Sequence, residues 1–248
     1  MVPTDALDRV RRLLSDGDCV LFIGSGLSAS TGLPTGTGLA RELAADLGPD
    51  YDGPLDDLGI VASATEALLG RHHLLSEIQR RFASVKATPT PAHERLGSLE
   101  TAAIVTTNWD SLLEDAMRGQ GKTPTVVASD SDLPFGPRSQ VLKLHGDLGR
   151  LDTLVVTDFD TLQVPYDRPG LVDRVRSLLT QYSTVFIGFS LADTDFRSTY
   201  LQCRQIVGRT LPRSYAVQLN PRPWLVDVWN AQGIQIIGCD VLTLTSTL

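Results

Sequence analysis

Two glycines set one residue apart close an apolar run and open a stretch rich in hydroxyls, Leu21-Phe22-Ile23-Gly24-Ser25-Gly26-Leu27-Ser28-Ala29-Ser30-Thr31-Gly32-Leu33-Pro34. The chemistry this pattern suits is the holding of phosphate. Gly24 and Gly26 let the backbone turn at a strand end and approach an anion with no Cβ in the way. Ser28, Ser30 and Thr31 add hydroxyl groups, and the N–H groups of a following helical turn can receive negative charge. The segment from Cys19 to Pro34 therefore reads as a strand, a glycine loop and a helix start that hold the phosphates of a nucleotide. The spacing matches neither the G-x-G-x-x-G dinucleotide fingerprint nor the Gly-Lys-Ser/Thr ending of a Walker A loop, which disfavours P-loop phosphoryl transfer.

Other reactive side chains are sparse. Asn108 follows an apolar run and precedes Trp109 and Asp110, so on its own it can equally cap a helix beginning near 110. His145, before Gly146 at a strand end, can equally be a turn histidine. His72 and His73 lie among leucines and charges in an expected helix, and His93, shortly after Pro91, reads as part of a helix start. Asp193 and Asp195 are better explained as helix-starting carboxylates than as a metal pair. Cys19, Cys203 and Cys239 form no C-x-x-C pair, which leaves a cysteine zinc site without support. Buried thiols in a reducing compartment fit them better.

The elements that must position these residues alternate. Leu7, Val10, Leu13 and Leu14 recur at helical spacing over 5–15. Apolar runs at 18–23, 102–106, 141–144, 184–187, 215–219 and 234–237 have the character of parallel strands buried on both faces. Helices are expected at 110–118, 170–181, 193–207 and 222–231, with a loop and a short strand (125–128) inside 120–140. The fold class is α/β: a Rossmann-like, doubly wound, mainly parallel sheet, whose ligands bind at the carboxyl ends of the strands. Residues 39–97 break the alternation with leucines at helical spacing, and we read them as a helical insertion, or lid, within a single domain spanning 1–248.

The 248 residues are 42% hydrophobic and 21% charged, with a formal net charge of -7. That is enough apolar material for a full core. The acidic balance argues against a general nucleic-acid surface. The N-terminus lacks the apolar core of a signal peptide, and no apolar run approaches the roughly 20 residues of a membrane span. A cytoplasmic location, with no membrane or nucleic-acid partner, is the expectation.

Read together, the motifs carry a resemblance. Gly24-Ser25-Gly26-Leu27-Ser28-Ala29-Ser30-Thr31-Gly32-Leu33-Pro34 resembles the first motif of the sirtuin superfamily, roughly G-A-G-x-S-x-x-S-G-I-P. Thr106-Thr107-Asn108-Trp109-Asp110 is similar to T-Q-N-x-D, Lys143-Leu144-His145-Gly146 to L-H-G, and Gly188-Phe189-Ser190-Leu191 to G-T-S-L. Asn220-Pro221 and Cys239-Asp240-Val241 follow where ribose-side and adenine-side contacts are expected, so the resemblance runs over residues 15–245. It implies NAD as the bound nucleotide and substrate. Gly24, Ser25, Gly26 and Ser28 would hold the pyrophosphate and nearby ribose, Asn108 would lie under the nicotinamide ribose, Asp110 would bind the carboxamide, and His145 would be the general base. Ser190, Asn220 and Asp240 would hold the adenosine half, and Gly188 would be a further substrate-binding residue.

The departures are informative. The Phe and Arg that follow the first motif in sirtuin deacylases are replaced by Thr35-Gly36-Thr37-Gly38, the zinc-binding cysteine pairs are absent, and Thr107 stands in place of glutamine. The chain is therefore more similar to the sirtuin-like NAD-cleaving domains of prokaryotic anti-phage defence systems than to protein deacylases. What this implies is an NAD glycohydrolase that releases nicotinamide and ADP-ribose and depletes NAD during infection, without a metal, under the control of a partner protein or homo-oligomer. The competing expectations are NAD-dependent protein deacylation and a non-catalytic NAD or ADP-ribose sensor.

Overall fold

The structure is a computed structural model and describes residues 4–133, 140–189 and 212–248. Its centre is a seven-stranded sheet in the order β3-β4-β2-β1-β5-β6-β7. The strands are β1 (Cys19–Ile23), β2 (Ala103–Thr106), β3 (Thr125–Val127), β4 (Gln140–Lys143), β5 (Ser183–Ile187), β6 (Ser214–Gln218) and β7 (Ile234–Gly238). Every pairing is parallel, and β1 sits between β2 and β5, with Val20 opposite Ala103 on one side and Thr184 on the other. The winding direction reverses at β1, so the crevice beyond the carboxyl ends of β1 and β5 is the topological switch point.

The strand sequences are apolar throughout because both faces are covered. Val20 and Phe22 of β1 point into a layer with Leu142, Phe186, Trp229 and helix α8 (Pro169–Gln181). Cys19, Leu21 and Ile23 point the other way, toward α1 (Thr4–Asp16), α5 (Pro91–Ser98) and α6 (Leu112–Gly119), through Val10, Leu14, Leu96, Leu113 and Met117. Helix α9 (Pro223–Ala231) and the short α10 (Val241–Leu244) flank the last strand.

Between β1 and β2 lie α2 (Gly36–Asp46), α3 (Leu58–Leu69), α4 (Arg71–Ala83) and α5. The first three have a core of their own, in which Leu39, Leu43, Val61, Leu74 and Ile78 are buried with Leu154 and Val156. Arg81 of α4, 7% exposed, ties α4 to α2 with ion pairs to Glu42 and Asp46, and pairs with Glu77 on its own helix. The helical run expected at 39–97 thus starts at Gly36, and its last member, α5, packs under the sheet against α6. Two α-helices among the described residues were not anticipated, α7 (Asp158–Asp167) and α10. The helix expected at 193–207, with Asp193, Asp195 and Cys203, lies outside the described residues. No helix among the described residues is long and apolar enough to cross a membrane.

Candidate functional site

The glycine loop folds as two 3-10 turns, Ser25–Leu27 and Ala29–Thr31, rather than as the start of an α-helix. Its glycines answer first to the neighbouring loop. Gly24 N–H donates to Ile187 O (2.8 Å) and Gly26 N–H to Gly188 O (2.8 Å). A Cβ on Gly26 would stand 2.6 Å from Gly188 O, and one on Gly188 would stand 2.6 Å from both Gly24 O and Leu27 N. Gly188 also has a φ of +77°, in the left-handed region that favours glycine. The two loops at the switch point therefore interlock through bare backbone. The N–H groups of Leu27, Ser28 and Thr31 are likewise spent inside the loop, on Gly24 O, Ser25 O and Ser28 O. Ser25 and Gly26 are exposed at the crevice.

Ser28, 4% exposed, is the hub of the site. Its hydroxyl donates to Asp110 Oδ2 at 3.0 Å and accepts from Asn108 Nδ2 at 3.3 Å. His93 Nε2 lies 3.3 Å from the same oxygen. On its other side, His93 Nδ1 accepts from Thr90 N–H at 3.2 Å, which leaves the proton of the neutral ring on Nε2, aimed at Ser28. Burial favours that neutral form by lowering the His93 pKa, against the opposing pull of Asp110. One donated and two accepted bonds satisfy the hydroxyl.

The loop after β2 presents the partners. Thr106 Oγ1 donates to Ile23 O (2.9 Å) and accepts from Asn108 N–H (3.0 Å), which fixes the turn. Asp110, and not Asn108, serves the start of α6, where Ser111 is the N-cap: its Oδ1 accepts from the N–H of Leu112, the first helical residue, at 3.1 Å. Asn108 Oδ1 is left buried with no hydrogen-bond partner among the described residues. A buried acceptor without a partner is costly, and a water or a ligand hydroxyl would satisfy it.

His145 follows β4 and is half-buried, its backbone carbonyl accepting from Val155 N–H at 3.0 Å. Its ring has no hydrogen bond to any described residue. Burial, and then the Arg168 cation, push its pKa down to about 4. Arg168 donates to Leu144 O (3.4 Å) and to Thr153 O, the carbonyls that flank the turn. At neutral pH the imidazole is therefore unprotonated and able to accept a proton.

A cavity of about 800 Å³ opens from Gly26, Ser30 and Gly188 toward Asn220, Trp224 and Asp240. Asn220 is the only non-glycine described residue with positive φ (+54°), a conformation asparagine tolerates better than most. Asp240 lines the cavity while its carboxylate caps α10, accepting from Thr243 N–H and Thr243 Oγ1, both at 2.8 Å. Those bonds hold its pKa below the usual carboxylate value. Ser190 lies outside the described residues. Among the described residues, no group of three or more His, Cys, Asp or Glu side chains is placed to hold a metal.

Of the expected residues, then, Ser28, Asn108 and Asp110 form one bonded cluster, while Gly24, Ser25, Gly26 and Gly188 form the loop pair beside it. Asn220 and Asp240 line the far end of the cavity. His93 was read only as part of a helix start. It is one, since Thr90 and His93 make a capping box, but its second nitrogen also serves Ser28. The Thr90-x-x-His93 spacing could have revealed the cap, though not the distant partner.

A parallel, doubly wound sheet with its cavity at the switch point defines an α/β protein of the Rossmann type. The family model described as a SIR2-like domain matches residues 102–237, more than half of the chain, and the chain belongs to that family. The NAD(+) hydrolase ThsA of Acinetobacter baumannii (strain 532279) is 28% identical over 190 residues, covering 75% of this chain and 39% of that protein. The NAD(+) hydrolase ThsA of Enterococcus faecium is 24% identical over 215 residues, covering 85% and 45%. Defense-associated sirtuin 2 of Bacillus subtilis is 23% identical over 150 residues, covering 59% and 15%. The chain thus spans less than half the length of each of these relatives. The crystal structure of a Sir2 homolog–NAD complex shares the fold, with a TM-score of 0.57 at 16% identity over 99% of this chain and 93% of that one.

Proposed function

We propose that the chain is an NAD glycohydrolase domain, cleaving the nicotinamide–ribose bond with water to give nicotinamide, ADP-ribose and a proton. The observation that carries this reading is Asn108, held by Ser28 through Nδ2 and left with a buried, unpartnered Oδ1 at the end of β2. The relatives named as NAD(+) hydrolases support it.

The bond breaks through an oxocarbenium-like state, as in other glycosidic cleavages. The leaving pyridinium departs as neutral nicotinamide, so no general acid is needed. Asn108 Oδ1 would hold the attacking water or a ribose hydroxyl, and Asp110 would meet the carboxamide. The water becomes acidic as it adds to the electrophilic oxocarbenium carbon, so even a weak base can take its proton as the new bond forms. A neutral His145 with a low pKa suffices for that. The interlocked loops of Gly24–Ser28 and Gly188 would seat the pyrophosphate, and the Asn220–Asp240 end would seat the adenosine. Helices α2–α4 would cover the nicotinamide end as an insertion within one domain. A prokaryotic cytoplasmic setting, a role in anti-phage defence, and control by a partner protein or by self-assembly complete the proposal.

Purified protein incubated with NAD, with and without an acyl-lysine peptide, tests it. Nicotinamide release without peptide, lost in Asn108→Ala and His145→Ala, is expected. Release that requires the peptide would mean a deacylase, and tight ADP-ribose binding with no release would mean a sensor.

A further inference from the structure

Beneath the two loops lies a cation that the reading above does not use. Lys143, the last residue of β4, is 0% exposed and among the largest fully buried side chains. An ammonium has three protons to donate, and three oxygens take them: Asp110 O at 2.7 Å, Asp147 Oδ2 at 2.7 Å and Trp109 O at 3.2 Å. Glu114 Oε1 is a fourth neighbour at 3.0 Å, yet it remains a buried acceptor without a hydrogen bond. At that distance the ammonium forms an ion pair with the carboxylate and pulls its pKa down. Burial outweighs that pull and lifts the Glu114 pKa above the usual carboxylate value.

The position of this cation is what matters. Strands β2 and β4 are neighbours, and Leu144 N–H to Thr106 O (2.9 Å) is the last rung before their loops leave the sheet. The loop after β2 carries Asn108 and Asp110; the loop after β4 carries His145. Beyond the rung, one backbone bond joins them, Leu148 N–H to Trp109 O at 3.1 Å. Lys143 grips both, the first by two peptide carbonyls and the second by the carboxylate two residues past His145.

Packing alone does not account for a lysine here. A buried charge group can often be replaced by apolar side chains of similar volume without loss of stability, and sometimes with a gain. An apolar side chain cannot hold two carbonyls and a carboxylate at fixed distances. We propose that Lys143 is a positioning residue that sets the Asn108 loop and the His145 loop in register, so that both meet the same ribose. Its kinetic consequence rests on the NAD-cleaving reading, whereas its geometric consequence does not.

The test compares the wild type with Lys143→Met/Glu114→Gln, which removes the cation together with its buried counter-charge, and with Lys143→Arg. Circular dichroism and thermal melting establish the folded fraction. Nicotinamide release then gives kcat and KM per folded molecule, and amide hydrogen exchange reports on residues 107–112 and 144–150. The expected result for the double variant is a kcat at least 100-fold lower with KM within threefold. Exchange should be at least tenfold faster in both loops and unchanged in β1, with partial recovery of kcat in Lys143→Arg. A kcat within threefold of wild type, or unchanged exchange in either loop, overturns the proposal. Should the wild type release no nicotinamide, the NAD-cleaving reading fails and exchange alone decides the role of Lys143. Should the double variant not fold, the same measurements on Asp147→Asn decide it, with a tenfold fall in kcat and faster exchange in 144–150 expected.

Discussion

Ser28, on the loop after β1, donates its hydroxyl proton to Asp110, on the loop after β2, across 3.0 Å. The two residues stand 82 positions apart in the chain, and the bond joins two loops at the carboxyl edge of the sheet. Because the same oxygen accepts from Asn108, the orientation of the Asn108 amide depends on a hydroxyl from another strand.

Ser28→Ala removes that hydroxyl and leaves Asn108 Nδ2, His93 Nε2 and Asp110 Oδ2 short of a partner. We expect a stability loss of about 1–3 kcal/mol and a fall in kcat/KM for NAD of about 10–100-fold. Urea denaturation and steady-state nicotinamide release measure the two effects separately.

His145 predicts an acid-shifted profile. With its pKa at about 4 rather than 6.5, the ring stays neutral well below pH 6. Its contribution to the pH dependence of kcat should therefore be flat from pH 8 to pH 5 and fall toward pH 4. A midpoint near 6.5 would contradict this. The stability sign follows from the same shift. Between those two pH values the unfolded chain binds the proton and the fold does not, so stability falls as pH drops from 6.5 to 4, then levels off. His145→Gln should remove that part of the acid sensitivity in denaturant titrations at several pH values.

Gly188→Ala places a Cβ 2.6 Å from Gly24 O and from Leu27 N, on backbone already at φ +77°. Neither neighbour is a flexible side-chain end. A loss of about 2–4 kcal/mol is expected from strain and overpacking together, read as a lower urea midpoint with an unchanged slope. NAD turnover should fall with it, because the loop pair separates.

Trp224 is 51% exposed at the rim of the cavity. If the adenosine half of the nucleotide lies there, ADP-ribose should quench its fluorescence. Trp224→Ala should then weaken ADP-ribose binding by about 1–3 kcal/mol, the range for a base stacked on an aromatic ring. Titration calorimetry on the two proteins checks it.

The strands were legible because burial on both faces leaves an unbroken apolar run. The stretch read as 18–23 became Cys19–Ile23, and 234–237 became Ile234–Gly238. Helix α7 was not legible for the converse reason. Val164 is its only buried residue, Pro165 lies inside it, and Phe159, Leu162 and Tyr166 face outward, so no inward apolar stripe marks it. The candidate site was legible in part. Asn108, Asp110 and Ser28 stand in short motifs whose order could be read directly. His93 and Lys143 act through partners from other elements, which no local pattern announces. Lys143 lay in plain sight within a run read as a strand, but the oxygens around it come from residues 109, 110, 114 and 147.

Helix α5 carries His93 and Arg95 two residues apart, about 200° around the helix axis. His93 reaches Ser28, while Arg95 donates to Thr245 O at 2.9 Å and Leu248 O at 2.6 Å, just past α10, whose N-terminal cap is Asp240. One short helix thus ties the loop after β1 to the residues just past α10, and both that loop and α10 line the cavity. A molecule entering it would meet walls whose separation is already set, and would give up little of its own binding free energy to arrange them.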